Sequence, residues 1–243
     1  MRDLGTMLWK ETAEFIGNRR FLRVFFIAVL IMGLLPEFQK HGIESSGGHG
    51  RGAVDILPML DLAYALLASV IVVAQTAPDL VLRERSGGTL EYLLATRMPD
   101  GAIFGGKIIL AAGVGYLSGL VTVAVQMIAA NLGRGGPGWS WIYLALPQGR
   151  LIALLLTPLL AAYLATVGTF VALRVGDQRG AYLVTMLGVG VLALPFLLHL
   201  TAIRLTMSWL WRATGVLAVV VAAVVALGFR MFRREMLVLY LQE

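Results

Sequence analysis

Few side chains in this sequence combine a reactive type with a spacing that suits chemistry. Gly101 to Lys107, GAIFGGK, fits the first seven positions of a phosphate-binding loop. In such a loop backbone N–H groups cradle phosphates, a lysine reaches the terminal phosphate and the next hydroxyl holds magnesium. The eighth position here is Ile108, which has no hydroxyl; no buried strand precedes the segment and an apolar run follows it. Nucleotide binding by this segment is not expected. His41, Glu44 and His49 carry metal-ligand atoms, but in a glycine- and serine-rich stretch that fixes no coordination geometry. Asp61 and His199 stand within apolar runs. A carboxylate inside a span is costly, which makes Asp61 a candidate for lining a substrate path. Its place about five residues, or about 7 Å, from the outer end of its run equally suits a solvated or hydrogen-bonded helix end. His199, near the far end of its run, reads as a hydrogen-bonded or headgroup-facing residue. The sequence has no H-E-x-x-H, no G-x-S-x-G and no cysteine, so it offers neither the usual hydrolase signatures nor a thiol nucleophile.

The stretch built for a partner is Arg83 to Lys107, RERSGGTLEYLLATRMPDGAIFGGK, a charged and glycine-rich insert between two apolar runs. Ser86-Gly87-Gly88 breaks the preceding helix, and Thr89 can cap a short new one. Leu90, Leu93 and Leu94 then share a face, with Glu91 in the first turn, where a carboxylate suits the helix dipole. Pro99 and the following Asp-Gly end that helix as a turn. The plain alternative is a solvated loop between helices.

Glu84, Arg85, Gly88, Thr89, Leu90, Glu91, Leu93 and Leu94, followed by Gly106-Lys107, resemble the loop between the second and third spans of type-2 ABC exporter permeases. The resemblance implies that these residues form a coupling helix, which docks on a separate ATP-hydrolysing subunit. It also implies six spans, a second copy of the permease or a homologous one, and transport by alternating access. No cofactor is expected in the chain itself, ATP and magnesium belonging to the partner ATPase.

The elements that must position these residues follow from composition. Of 243 residues, 58% are hydrophobic and 14% charged, far from a soluble globule. The net charge of +6 is scattered between apolar runs rather than gathered on one face, which argues against a nucleic-acid partner. Residues 1–20 are charged and lack a small-residue cleavage site, so no cleavable signal peptide is expected. Leu4, Met7, Leu8 and Phe15 recur there at helical spacing, which reads as a helix lying in the membrane surface, with a charged tail as the alternative. Glu11 interrupts that apolar stripe.

Six runs follow: Phe21 to Leu35, Ile56 to Pro78, Ile108 to Ala130, Leu151 to Leu173, Ala181 to Ile203 and Ala213 to Phe229. The first falls short of the about 20 residues that cross a bilayer, so it must recruit residues beyond Pro36 while Arg23 snorkels. Glu37 to Asp55 reads as a polar loop, and Pro158 as the site of a kink. Gly115 and Gly119 allow close helix approach, for packing within the chain in preference to dimerisation. Trp139, Trp141 and Tyr143 read as interface anchors, and Arg204 to Arg212 as an interfacial connection. Lys and Arg concentrate in the two ends and in the loops after the second and fourth runs, which places those parts in the cytoplasm.

The expectation is thus one all-helical permease domain over residues 1–243 of the plasma membrane. It has six transmembrane helices, an interfacial helix over 1–20 and a coupling loop over 83–107. The expected function is outward movement of a hydrophobic or amphiphilic substrate, driven by a partner ATPase. The alternatives are a secondary transporter or channel, which the nearly uncharged spans disfavour, and a membrane-embedded enzyme.

Overall fold

Apolar runs fold as helices because a backbone surrounded by hydrocarbon must satisfy its own N–H and C=O groups. A computed structural model describes residues 2–45, 51–89, 98–134, 147–175, 177–188 and 207–231, and no strand occurs among them. The elements are α1 (Arg2–Gly17), α2 (Arg19–Ser45), α3 (Arg51–Ser86) and α4 (Asp100–Arg134). Then α5 (Pro147–Leu151) runs through a π turn at Ile152–Leu156 into α6 (Thr157–Arg174). Residues 178–188 form α7, and α8 is Met207–Met231.

Five stretches among the described residues are long and apolar enough to cross a membrane: Phe21–Gln39, Asp61–Ser86, Asp100–Leu132, Pro147–Arg174 and Met207–Arg230. They correspond to the first four expected runs and the sixth. Of the fifth, only 181–188 lies within the described residues, where it is helical. His199, Trp139, Trp141 and Tyr143 lie outside them.

Several boundaries differ from the sequence reading, each for a local reason. The polar loop expected over Glu37 to Asp55 is largely helical: α2 continues through Pro36 to Ser45, and α3 already begins at Arg51. Helix ends outside an apolar run keep their hydrogen bonds at little cost, so polarity alone does not stop them. The segment 101–107 is the first part of α4, opened by Pro99, whose carbonyl accepts the Ala102 N–H at 2.9 Å. A helical backbone there leaves no loop to wrap a phosphate. At Pro158 the irregularity takes the form of the π turn just before it, where the Thr157 hydroxyl donates to the Ile152 carbonyl at 2.8 Å. Proline lacks an N–H, and a π turn is one way to absorb the misfit. Trp209 and Trp211 belong to α8 rather than to a separate connection.

The centre of the bundle is α3, whose span is 83% buried, against 28% for that of α2 and 17% for that of α8. Its buried positions are mostly small or β-branched, Ala65, Ala68, Ser69, Val72, Val73, Ala74 and Ala77 among them, and α2, α4 and α6 pack against it. Gly115 and Gly119 let α4 come close. A methyl group at Gly115 would overlap Val73 Cγ2, and one at Gly119 would lie 3.3 Å from the Ala65 carbonyl oxygen and 3.1 Å from Thr157 Cγ2. The G-x-x-x-G pair therefore packs within the chain. Several buried hydroxyls bond along their own helices, Thr76 to the Val72 carbonyl at 2.6 Å and Thr122 to that of Ser118 at 2.8 Å.

Gly115→Ala should cost about 1–3 kcal/mol, because the methyl has no room and the two backbones must separate. Gly113, with nothing within 4 Å of a built Cβ, is the control, and Gly113→Ala should be neutral or slightly stabilising. Tryptophan-monitored thermal unfolding in mild detergent compares them, and equal midpoints would contradict this packing.

Candidate functional site

The most unusual chemistry is electrostatic and sits where α1, α3 and α4 meet. Lys107 is fully buried, and an ammonium in such a place is tolerated only with close partners. Its Nζ donates to Glu11 Oε1 at 2.7 Å and to the Leu80 carbonyl oxygen at 3.0 Å. It also lies 2.7 Å from Glu84 Oε2. Two of its N–H bonds are thus accepted by Glu11 and Leu80, and Glu84 adds a second opposite charge beside it. The other oxygen of Glu84 accepts from Lys10 Nζ at 2.7 Å, and Lys10 reaches Glu14 at 3.7 Å along α1.

The local sequence explains how α1 delivers these groups. Met7, Glu11 and Phe15 are spaced by four, share one face and are all buried. Met7 rests on Gly106, where a Cβ would come within 2.7 Å of Met7 Cγ, so the glycine brings Glu11 down to Lys107. Phe15 stacks on Phe21 across the break at Asn18, with ring centroids 5.4 Å apart. The other side of the α3 end is tied as well. Arg83 pairs with Asp79 and lies over the Phe21 ring at 4.7 Å, while Gln178 Nε2 of α7 donates to Asp79 Oδ1 at 2.7 Å.

Burial pushes the Glu11 carboxyl above its usual range; Lys107 and Lys10 pull it back and Glu84 adds to the rise. Burial pulls the Lys10 ammonium down, but the hydrogen bond and charge of Glu84, helped by Glu11 and Glu14, outweigh that and leave it raised.

Of the residues singled out in the sequence, Glu84 is buried in this cluster, and Arg85 is half-buried beside it. Gly88 has φ +67°, a left-handed conformation that glycine adopts without strain and that ends α3. The Thr89 hydroxyl points back to the Glu84 carbonyl at 3.4 Å, toward the end of α3. Leu90, Glu91, Leu93 and Leu94 lie outside the described residues. Asp61 is not at a solvated helix end: it is buried, ten positions, or about 15 Å, into α3. The side-chain amide of Gln126 donates to the Asp61 carbonyl at 2.9 Å and to that of Met32 at 3.2 Å, joining α2, α3 and α4.

Sequence reading missed Lys10, Glu11 and Asp79 as site residues. The available signal was the misplacement of Glu11 in an apolar stripe, since a carboxylate there needs a cation from elsewhere in the fold. Among the described residues no group of three or more His, Asp or Glu side chains is placed to hold a metal.

Fold and cluster together define a class: a helical membrane bundle whose loop-bearing end is fastened by buried ion pairs. No model of a known protein family matches the chain, and no curated protein matches it.

The raised Glu11 gives a pH dependence of definite sign. The folded state holds that proton more readily than the unfolded chain, so the contribution is complete below the ordinary carboxylate range. It is lost as pH rises through the raised value. Wild-type thermal stability should therefore fall relative to Glu11→Gln as pH rises above the ordinary carboxylate range. Parallel profiles for the two proteins would refute this account of Glu11.

Proposed function

We propose that the chain is the transmembrane subunit of an ATP-driven exporter of the type-2 ABC class. It works with a separate ATPase and a second permease copy in the plasma membrane, and both its termini are cytoplasmic. The observation that carries this reading is the pairing of Glu84 with Lys107. These residues flank the segment whose motif resembles the coupling loop, and their ion pair gives that segment a fixed base on two long helices. A push on the loop is thereby delivered to α3, the most buried span, and to α4 together. The ATPase binds ATP and magnesium, and the free-energy difference between its nucleotide states drives the spans between two arrangements. The nearly uncharged spans suit a hydrophobic or amphiphilic substrate, and equally suit contact with lipid.

A second reading, a secondary transporter or channel, draws support from one observation, the deep burial of Asp61 in α3. It requires substrate flux in vesicles under an ion gradient with no ATPase present.

The coupling reading is tested at the loop. Burying a leucine contributes about 1.5–3 kcal/mol, and each 1.4 kcal/mol is about tenfold in affinity. Leu94→Asp should weaken co-purification of the ATPase by at least about tenfold while the spans still insert. Glu91→Lys should lower substrate-stimulated hydrolysis in proteoliposomes. Glu44→Lys, outside the motif, is the control, and equal behaviour of all three would remove the coupling role.

A further inference from the structure

The cluster at Lys107 divides in an unusual way. On α3 and α4, Lys107 and Glu84 form one oppositely charged pair at 2.7 Å, and Lys107 keeps the Leu80 carbonyl as well. On α1, Lys10, Glu11 and Glu14 stand within one turn of each other. Lifting α1 away would separate the four central charges into Lys107 with Glu84 and Lys10 with Glu11, each neutral. No lone ion would be left buried, which removes the largest cost of breaking an internal salt bridge.

The remaining attachments of α1 lie on one face, where Leu8 packs with Met7 and Phe15 on the core and Leu4 lies over Gly105. Met7 sits on Gly106 and Phe15 stacks on Phe21, while Gly5, Trp9, Thr12, Ala13 and Ile16 are exposed. Between α1 and α2 a single non-helical residue, Asn18, interrupts the chain. Its N–H turns back to the Phe15 carbonyl at 3.1 Å, so the two helices are separate rods joined at one point.

We propose that α1 is a detachable latch, hinged at Asn18, that closes over the paired ends of the segment between α3 and α4 and opens as a unit, leaving Lys107 and Glu84 paired behind it. Closed, it adds Glu11 and Lys10 to that pair and stiffens the base of the segment. Open, it releases one side of the base without unfolding the spans. The proposal does not depend on the exporter reading and applies to any function that uses the segment.

The chain has no cysteine, so an introduced thiol is the only one. Met7 and Val81 are equally buried at 1% exposure. Met7 is on the buried face of α1, whereas Val81 packs with Ala172 and Ala181 in a separate cluster. Single Met7→Cys and Val81→Cys variants of the full chain, in nanodiscs, are reacted with a charged, water-soluble maleimide. A latch predicts that Met7→Cys reacts at least about tenfold faster than Val81→Cys, a difference of about 1.4 kcal/mol in opening. Adding Lys107→Met to Met7→Cys strands Glu11 against Glu84 and should speed labelling further. Adding Glu11→Leu to that pair of changes removes the stranded charge and should restore the rate of the Met7→Cys single variant. Equal rates at Met7→Cys and Val81→Cys would mean that opening is global, and would overturn the proposal. So would labelling at Met7→Cys that ignores Lys107. If Lys107→Met cannot be purified, the ratio of the two single variants decides the question by itself.

Discussion

A lysine ammonium enclosed by helices is the constraint on which the loop-bearing end depends. Removing the Lys107 charge from water costs several kcal/mol, offset only by close acceptors and opposite charges. Glu11, Glu84 and the Leu80 carbonyl supply them from α1 and α3. Their placement sets the register of α1 against α4, since sliding by one turn would move Glu11 off Lys107 and Met7 off Gly106 together. It also sets where α3 may end, because Glu84 must still be helical to point inward, and the left-handed Gly88 follows four residues later. Breaking such a cluster at one member costs about 3–5 kcal/mol, while replacing all of it by apolar groups can be neutral. Its value to the molecule thus lies in specifying one arrangement rather than in net stability.

The centre of the bundle is built on the opposite principle. Small side chains on α3 and glycines on α4 allow close backbone approach, and stability comes from dispersion contacts between atoms rather than from exclusion of water, which lipid does not provide. Serine and threonine hydroxyls turn back on their own helices and expose few polar atoms between helices. The exception is the Gln126 amide, which spans α2 and α3 through two backbone carbonyls. Buried beside Asp61, it makes the part of the α3–α4 contact far from Lys107 more polar than the middle. The π turn before Pro158 faces the same region, and a shallow cleft there is lined by Leu62, Gly119, Val123, Ile152 and Thr157.

These two principles divide labour along the molecule. Glycines set the close α3–α4 contact in the middle, whereas the charged end joins α1, α3 and α4 through ion pairs. The Asp79 to Gln178 bond adds α7 to that frame.

Much of this architecture was legible in the sequence because it depends on local chemistry. Long apolar runs mark candidate spans, and five of them appear as helices within the described residues. Gly115 and Gly119 signalled a close approach, and Gly87-Gly88 signalled the end of α3. Helix ends were less legible, because α2 and α3 extend into polar sequence once their first turns are nucleated. The ion cluster was beyond reach for a different reason. Glu11 and Lys107 are separated by 96 residues, and nothing in either neighbourhood specifies the other. Sequence showed only that a carboxylate stood where an apolar residue belonged. Which cation answered it, and that Glu84 turned inward to share it, was decided by tertiary packing, since a buried charge selects its partner by distance in space and not along the chain.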